Sequence, residues 1–244
     1  MCEILVAVWP EPEPFQRVLP WGLELERVGI GGFGWGLAWR EAGRVRRYRD
    51  PGTLASDQKG QAELQGVRST HFLLHLRRPS QLTTVSLADT QPFVVDDGAF
   101  AFAHNGRLDG ATAYRHRFLD KLEGHADSEV GFRLFEELLG GGVGPAAALQ
   151  EVHRQLGGNA NLAFLDAQGK TLLYAGNAEN DGWRFDLDGA EMASTALHSA
   201  DEALFALCFP GATHRVRLTS GEVASLGRNP VGRAATSGVE IGGS

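Results

Sequence analysis

Apolar residues in the first hundred positions fall into short runs separated by Gly, Pro and Asp, which is typical of β-strands and turns. The first run, residues 4–8, begins almost at the start of the chain, so we expect an ordered N-terminus held against a sheet. A proline-rich loop over residues 9–14 is predicted to follow it. Further strands are predicted at residues 23–28, 34–39, 44–49, 71–76 and 100–104. The first half of the chain is therefore predicted to be mostly β.

Helical periodicity dominates the middle of the chain. Helices are predicted at residues 111–122, 128–139 and 145–156. The second helix has four apolar side chains on one face: Val130, Leu134, Phe135 and Leu138. Asp127 occupies the position of its N-cap, and the glycines after residue 139 end it. These helices are expected to pack together on a sheet.

After residue 160 the pattern returns to strands. Residues 162–166 and 171–175 flank a turn at residues 167–170 and predict a β-hairpin. Strands, then helices, then strands, without regular βαβ alternation, favour antiparallel sheets with separate helix layers over a doubly wound parallel sheet. Because neither an internal repeat nor a linker interrupts the pattern, we expect one α+β domain over residues 2–244.

Composition and charge exclude several kinds of partner. The 244 residues are 43% hydrophobic, enough for a buried core, and 23 Lys and Arg against 30 Asp and Glu give a net charge of -7. This charge repels nucleic acid and anionic lipid. The apolar N-terminal run lacks a basic flank and is too short to span a membrane. Two cysteines do not make a disulfide scaffold, so a cytoplasmic location is expected.

Cys2 is the first candidate for chemistry, although an isolated cysteine is more often a small buried apolar residue. Because a small second residue favours removal of the initiator Met1, position 2 is predicted to become the mature N-terminus. Cys2 would then carry both a thiol and an α-amine, with ordinary pKa values of about 8.5 and about 7.7–8.0. A terminal amine can activate an adjacent nucleophile, so no catalytic histidine is required.

His104-Asn105-Gly106 is the second candidate, and it follows an apolar run at residues 98–103. An Asn-Gly pair is the strongest short-range signal for a hairpin turn, which by itself favours a turn here. The alternative interpretation is catalytic. The Asn105 side-chain amide and the Gly106 backbone N–H would then be two donors directed at a developing oxyanion.

Two charged motifs have a structural and a functional interpretation each. Arg77 and Arg78 at the end of a predicted strand are either solvated arginines or a planar fork for a substrate carboxylate. Asp127 either caps a helix or binds a substrate ammonium group.

Other patterns suggest sites that we reject. Residues 29–34 match the Gly-x-Gly-x-x-Gly dinucleotide fingerprint, but a strand pattern follows where that fingerprint requires a helix. The arginines of residues 44–49 indicate an exposed strand in this acidic protein. Histidine spacing suggests no metal site, since His71 and His75 lack a third ligand. Cys208 lies in an apolar run and is predicted to be a core residue. We expect neither a metal nor a cofactor.

The order of the motifs is more specific than any one of them. Along the chain come Met1-Cys2, Gly-Trp-Gly-Leu-Ala-Trp at residues 34–39, His75-Leu76-Arg77, Gln91-Pro92-Phe93, His104-Asn105-Gly106 and Asp127-Ser128-Glu129. This order resembles the class II glutamine amidotransferases, which are N-terminal nucleophile hydrolases. The resemblance is strongest over residues 2 to about 140.

The resemblance implies a four-layer αββα sandwich, in which two antiparallel sheets face each other between helix layers. It implies that Cys2 attacks the γ-carboxamide of glutamine or of a γ-glutamyl compound, while Asn105 and the Gly106 N–H stabilise the oxyanion. It also implies three substrate-binding residues: Arg77 for the α-carboxylate, Asp127 for the α-ammonium group, and His104 beside the oxyanion donors.

Several departures from the family pattern concern the substrate. Gly31-Gly32 stands where related members often have an acidic residue, Arg78-Pro79-Ser80 stands where many have Ala-Thr, and residues 194–197 match a serine-containing pocket segment only in part. No acceptor domain is visible after Asp127. Three functions are therefore compatible with the sequence: a glutaminase that supplies a separate ammonia-accepting enzyme, a hydrolase of γ-glutamyl metabolites, and a catalytically silent amino-acid-binding module.

Overall fold

Strands make up most of the regular structure. The computed structural model describes residues 2–29, 32–79, 85–195 and 201–227. Within these ranges the strands are β1 (Glu3–Pro14), β2 (Trp35–Glu41), β3 (Arg44–Asp50), β4 (Arg68–Leu76), β5 (Phe93–Val94), β6 (Phe100–Arg107), β7 (Asn159–Asp166), β8 (Thr171–Tyr174), β9 (Gly182–Leu187), β10 (Ala190–Thr195), β11 (Thr213–Arg217) and β12 (Val223–Leu226). The helices are α1 (Leu19–Val28), α2 (Gln58–Glu63), α3 (Ala111–Tyr114), α4 (Asp127–Gly140), α5 (Pro145–Leu156) and α6 (Glu202–Cys208).

The described strands form two antiparallel sheets. One sheet has the order β11-β9-β10-β1-β4-β2-β3, and the other has the order β12-β8-β7-β6-β5. β1 lies between β10 and β4, so the chain begins in the interior of its sheet. The N-terminal residues are therefore held by hydrogen bonds from both sides.

Side chains of β1 alternate between two hydrophobic cores. Leu5 and Trp9 belong to the core that α1 and α6 cover, whereas Ile4 and Val6 point to the opposite side, toward the five-stranded sheet. This alternation follows from the two-residue period of a strand. Both sets are buried, which explains the nearly continuous apolar run at residues 4–8.

Three cores separate four layers. A further core lies between the outer face of the five-stranded sheet and helices α4 and α5, where Phe135 and Leu149 pack against Phe102 and Phe164. The order is thus helix layer, seven-stranded sheet, five-stranded sheet, helix layer. The predicted α+β fold, a four-layer αββα sandwich of two antiparallel sheets, is confirmed.

Small side chains line the interface between the sheets. Ala101, Ala103 and Ala163 of the five-stranded sheet are completely buried there, opposite Ile4 and Val6. Alanine adds little thickness, so the two backbones can approach closely over this region. The approach matters because the ends of β1 and β6 carry candidate site residues.

Two predicted elements near the N-terminus are wrong. Residues 23–28 belong to helix α1, whose buried Trp21, Gly22 and Leu25 form one face at helical spacing. Packing of this face on the sheet overrides the local strand pattern. The predicted loop at residues 9–14 is the second part of β1, which pairs with β4 again at Glu13 and Pro14 after an irregularity.

The predicted helix at residues 111–122 is shorter than expected. α3 spans four residues and is followed by a 3-10 turn, Arg115–Phe118. Leu119 is 68% exposed although Phe118 is buried, so no continuous apolar face supports a longer helix. The helices at residues 128–139 and 145–156 and the hairpin of β7 and β8 are confirmed.

Candidate functional site

Cys2 lies at the start of β1 and is fixed by the end of β4. The backbone N–H of Arg78 donates a hydrogen bond to Cys2 Sγ at 3.3 Å, and Sγ lies 3.5 Å from the Arg78 carbonyl oxygen. The next residue, Glu3, pairs with Leu76 of β4. Met1 lies outside the described residues. Strand pairing thus holds the thiol in one place at the edge of the sandwich.

Opposing effects act on the Cys2 thiol. Burial raises its pKa, whereas the hydrogen bond from the Arg78 N–H and the positive charge of Arg77 act in the opposite direction; Asp127 adds to the increase. Because burial is the largest effect, the thiol is predominantly protonated near neutrality. A nucleophilic Cys2 therefore needs a nearby base.

Arg77 follows β4 directly and is buried, with only 3% of its surface exposed. Its backbone N–H donates to the Gly34 carbonyl at 2.7 Å, and its carbonyl accepts from the Phe33 N–H at 3.3 Å. Burial lowers the pKa of the guanidinium group, and the nearby Cys2 and two carboxylates oppose this shift. The glycine-rich segment rejected as a dinucleotide site thus helps to position Arg77.

His104, Asn105 and Gly106 lie within β6, so the turn predicted there is wrong. They pair with Leu162, Asn161 and Ala160 of β7. Gly106 has φ +129°, and a Cβ at this position would overlap the Asn159 carbonyl oxygen. The Asn-Gly signal therefore marks a special backbone conformation near the end of a strand, where only glycine fits.

Asn105 has a satisfied acceptor and an unused donor. Its Oδ1 accepts from Nδ2 of Asn177 at 3.2 Å and from Nδ2 of Asn180 at 3.3 Å. Its Nδ2 is buried and has no hydrogen-bond partner within the described residues. A buried donor without a partner is uncommon in folded proteins, and this one leaves a hydrogen bond available to a group from outside the chain.

Three other asparagines fix the orientation of Asn105. Asn161 Oδ1 accepts from the backbone N–H groups of Gly176 and Asn177, and its Nδ2 donates to the Asn180 carbonyl at 2.6 Å. These bonds hold the segment after β8 against β7, next to Asn105 of β6. This cluster has no local motif in the sequence, where its only signal is the set of asparagines at positions 161, 177 and 180.

A second hydrogen-bond network lies behind the end of β6. Gln91 Oε1 accepts from the His104 N–H at 2.6 Å, and Gln91 Nε2 donates to the His104 carbonyl and to Ser128 Oγ. His75 of β4 also donates to the His104 carbonyl, at 3.2 Å, and so links the two sheets. Ser128 Oγ lies 2.9 Å from His104 Nδ1. His104 is therefore held from three directions.

The imidazoles in this network are neutral. Burial lowers the pKa of His75 to about 3, and the positive charge of Arg77 contributes to the shift. Burial likewise lowers the pKa of His104, against the effect of Asp127. His104 Nε2 has no hydrogen-bond partner in the described part of the chain.

Asp127 is the first residue of α4 and not its N-cap. The N-cap is Ala126, which makes no side-chain capping bond. Asp127 Oδ2 accepts from the backbone N–H of Leu108 at 2.8 Å, and Oδ1 accepts from that of Ser128 at 2.9 Å. The carboxylate thus joins the start of α4 to the segment after β6, and the predicted cap is replaced by this longer-range contact.

One cavity of about 350 Å³ brings most of the candidate residues together. Five of the six predicted residues line it: Cys2, Arg77, His104, Gly106 and Asp127. Asn105 lies next to two of them in the chain but does not form part of the wall. Residues from both sheets and from α4 thus surround one space large enough for a small ligand.

Two further predictions concern residues elsewhere. Thr195 Oγ1 accepts from the Ile4 N–H at 3.1 Å, so the start of the serine-containing segment lies beside the N-terminus, while positions 196 and 197 lie outside the described residues. Cys208, the last residue of α6, is buried in the core as predicted. Within the ranges given above, no helix has the length and apolar character to cross a bilayer, and no three acidic, histidine or cysteine side chains converge as metal ligands would.

Solved structures with this fold include amidotransferases. The glutamine phosphoribosylpyrophosphate amidotransferase of B. subtilis, complexed with ADP and GMP, superimposes with a TM-score of 0.71 at 17% identity, over 92% of this chain and 47% of that one. A glutamine aminotransferase class-II domain protein from Silicibacter pomeroyi gives 0.52 at 23% identity over 80% and 88%. A predicted glutamine amidotransferase from Pseudomonas aeruginosa gives 0.52 at 18% over 92% and 97%.

These identities are low, so the structural likeness by itself shows the fold. The chain spans about half the length of the B. subtilis enzyme. No curated protein sequence matches the chain. The family model of the class-II glutamine amidotransferases matches residues 26–181, which is more than half of the 244 residues. The chain therefore belongs to the class II glutamine amidotransferase family.

Proposed function

We propose that this protein is a cysteine-nucleophile amidohydrolase that cleaves the γ-amide of glutamine or of a γ-glutamyl compound. The observation that carries the proposal is that Cys2, Arg77, Gly106 and Asp127 border the same cavity. Cys2 precedes the part of the chain that the family model matches, so its role rests on this geometry and on the N-terminal motif.

The α-amine of Cys2, exposed once Met1 is removed, is the proposed base. A terminal amine has an ordinary pKa of about 7.7–8.0, so it is partly unprotonated near neutrality and can accept the thiol proton. Burial raises the pKa of the thiol and makes such a base necessary. The neutral histidines His75 and His104 are not the proposed base. His75 contacts the His104 carbonyl and His104 contacts the Ser128 hydroxyl, so both have structural roles.

Asn105 Nδ2 and the Gly106 N–H are the proposed donors to the oxyanion. The Asn105 donor is buried and has no partner within the described residues, while its oxygen is held by Asn177 and Asn180. A donor that is already oriented and desolvated stabilises developing charge without reorganisation in the transition state. The left-handed backbone of Gly106 sets the direction of the second donor.

Arg77 and Asp127 are the proposed clamp for the amino-acid end of the substrate, with His104 beside them. A buried guanidinium group binds the two oxygens of an α-carboxylate. The Asp127 carboxylate lines the same cavity and accepts an α-ammonium group. A glutamate unit whose α-carboxylate and α-ammonium groups are both bound would present its γ-amide to Cys2 in one orientation.

The proposed reaction has two steps. Cys2 Sγ attacks the γ-carbonyl carbon, the C–N bond breaks, and the leaving nitrogen takes the proton that the thiol gave up. Water then hydrolyses the γ-glutamyl thioester to glutamate and returns a proton to the thiol. The released ammonia passes to a separate acceptor enzyme or the released amine leaves directly. Relative turnover of glutamine and larger γ-glutamyl amides distinguishes these two destinations.

Covalent labelling tests the proposal. A glutamine-analogue diazoketone should modify Cys2 and abolish turnover, and intact mass should show loss of Met1. Cys2→Ala should remove both labelling and glutamate release while the variant remains folded. Cys208→Ala is the matched control and should leave both in place, because Cys208 is a core residue at the end of α6 and does not line the cavity. Active enzyme that retains Met1, or full turnover by the Cys2→Ala variant, contradicts the mechanism.

A further inference from the structure

The cavity next to Cys2 has more positive charge than the glutamate end of a substrate requires. Besides Arg77 and Asp127, which form the proposed clamp, its wall includes three arginines and one aspartate: Arg78, Arg107, Arg115 and Asp109. These four residues have a formal charge of +2. The protein as a whole carries -7. Positive charge is thus concentrated at this cavity although the net charge of the protein is negative.

One of the three arginines is neutralised within the chain. Arg107 Nε lies 2.5 Å from Asp109 Oδ1, and both side chains are more than half exposed. An exposed ion pair of this kind attracts a charged ligand only weakly. The excess positive charge therefore belongs to Arg78 and Arg115.

Arg78 has an unsatisfied donor in the cavity wall. Its Nη1 is buried and has no hydrogen-bond partner, and its side chain makes no ion pair, within the part of the chain that the structure describes. A buried guanidinium nitrogen without an acceptor is costly, and the cost is relieved when an anion binds.

Arg115 is positioned but not neutralised. Its guanidinium group donates to the backbone carbonyls of Gly124 and His125, and no carboxylate pairs with it among the described residues. These bonds hold the group at the wall of the cavity and leave its charge in place. A guanidinium group fixed in this way loses little side-chain freedom when it binds a ligand.

We propose that the preferred substrate is a γ-glutamyl amide whose amine portion carries a carboxylate, which Arg78 and Arg115 bind. This inference rests on the proposed function, since it places the glutamate end at Arg77 and Asp127. The atoms balance as for any amide: water replaces the amine on the γ-carbon, and the amino-acid-like amine leaves with its carboxylate intact. Glutamine, whose leaving group is neutral ammonia, uses only half of the site.

The test compares two substrates that differ in one group. γ-Glutamylglycine and γ-glutamylglycinamide have the same scissile bond and nearly the same shape, but only the first has a carboxylate on its leaving group. We expect kcat/KM to favour γ-glutamylglycine about tenfold or more, as for a charge-assisted hydrogen bond. The preference should fall as NaCl is added, because salt screens the attraction.

Variants assign the preference to residues. Arg78→Gln and Arg115→Gln should each bring the ratio of the two kcat/KM values closer to one. Arg46→Gln is the matched control, because Arg46 is exposed on β3 outside this cavity, and it should keep the wild-type ratio. A preference that survives both cavity substitutions overturns the assignment.

The outcomes separate this inference from the proposed function. Hydrolysis of glutamine and of both peptides with no preference for the carboxylate overturns the inference and leaves the amidohydrolase intact. Absence of turnover of every γ-glutamyl amide by protein that lacks Met1 overturns both.

Discussion

At the residue scale, the site depends on a few polar atoms that the fold leaves without partners. Asn105 Nδ2 and His104 Nε2 are buried at the end of β6, and the described chain offers neither a hydrogen-bond partner. The remaining atoms of both side chains are held by neighbours. Desolvation of these groups during folding lowers stability, which is a common feature of sites prepared for a ligand.

Asn105→Asp should lower kcat for glutamate release by about 100- to 1000-fold. The substitution keeps an oxygen for Asn177 and Asn180 but replaces the donor with a second oxygen, so the oxyanion loses one stabilising bond. Steady-state kinetics with thermal unfolding in parallel measures the effect. A folded variant with less than a tenfold loss would show that Asn105 is not an oxyanion donor.

His75→Gln should reduce the dependence of stability on pH. Burial lowers the pKa of His75 from an ordinary 6.5 to about 3, so between these values the unfolded chain binds a proton that the folded chain does not. The free energy of unfolding therefore falls as pH decreases from 6.5 toward 3, and this contribution is fully present above pH 6.5.

Urea unfolding between pH 4.5 and about 7 measures this effect. In the His75→Gln variant, the slope of the unfolding free energy against pH should correspond to the uptake of roughly one proton fewer on unfolding. The glutamine amide should still donate to the His104 carbonyl. His116→Gln replaces an exposed histidine and controls for loss of an imidazole. An unchanged slope in His75→Gln would mean that His75 is not held neutral by the fold.

At the element scale, the ends of β1, β4 and β6 converge on the site, and their pairing decides where the candidate residues point. β4 carries Arg77 beyond its last residue, and β1 starts beside it. β6 reaches the same cavity from the other sheet through His104 and Gly106. Strand register at these ends therefore determines where the candidate residues lie.

Gly106→Ala should destabilise the protein by about 2 kcal/mol or more. The backbone has φ +129° there, and a Cβ would meet the carbonyl of Asn159, so β6 and β7 would have to separate. Gly140→Ala is the control, because a Cβ at Gly140 meets no atom within 4 Å and alanine favours a helix. Thermal unfolding should show a lower Tm only for Gly106→Ala.

At the scale of the whole molecule, the spacing of the two sheets links Cys2 of one to Asn105 of the other. Alanines at positions 101, 103 and 163 keep the interface thin, and the bond from His75 to the His104 carbonyl crosses it. A packed interior resists changes in volume, so thickening this layer should move the two groups apart.

Ala163→Leu should therefore lower both stability and kcat. Extra methylene groups in a closely packed core cost about 1–3 kcal/mol, and here they would also displace β6 relative to β1. Ala148→Leu is the matched control, since Ala148 of α5 is equally buried but belongs to the core on the outer face of the five-stranded sheet. Both variants should lose stability, and only Ala163→Leu should lose turnover at a temperature where both are folded.

Local patterns in the sequence were enough to predict the fold class, the two longer helices of the middle segment, and the hairpin of β7 and β8. The family motifs could also be read from the sequence alone. These features depend on periodicity and on residues close in the chain. Helix α1 was predicted as a strand because its apolar face is defined by the sheet on which it packs, and the second part of β1 was predicted as a loop because prolines dominate it.

The tertiary structure alone decided how the site is put together. It placed His104-Asn105-Gly106 in a strand and turned Asp127 from a helix cap toward Leu108. It also brought distant asparagines to Asn105 and left Arg78 and Arg115 in the wall of one cavity without carboxylate partners in the described chain. Motif order predicted the candidate residues, but contacts between residues far apart in the chain orient them, such as Arg78 with Cys2, 76 positions apart, and Asn177 with Asn105, 72 positions apart. Such contacts leave no local pattern in the sequence.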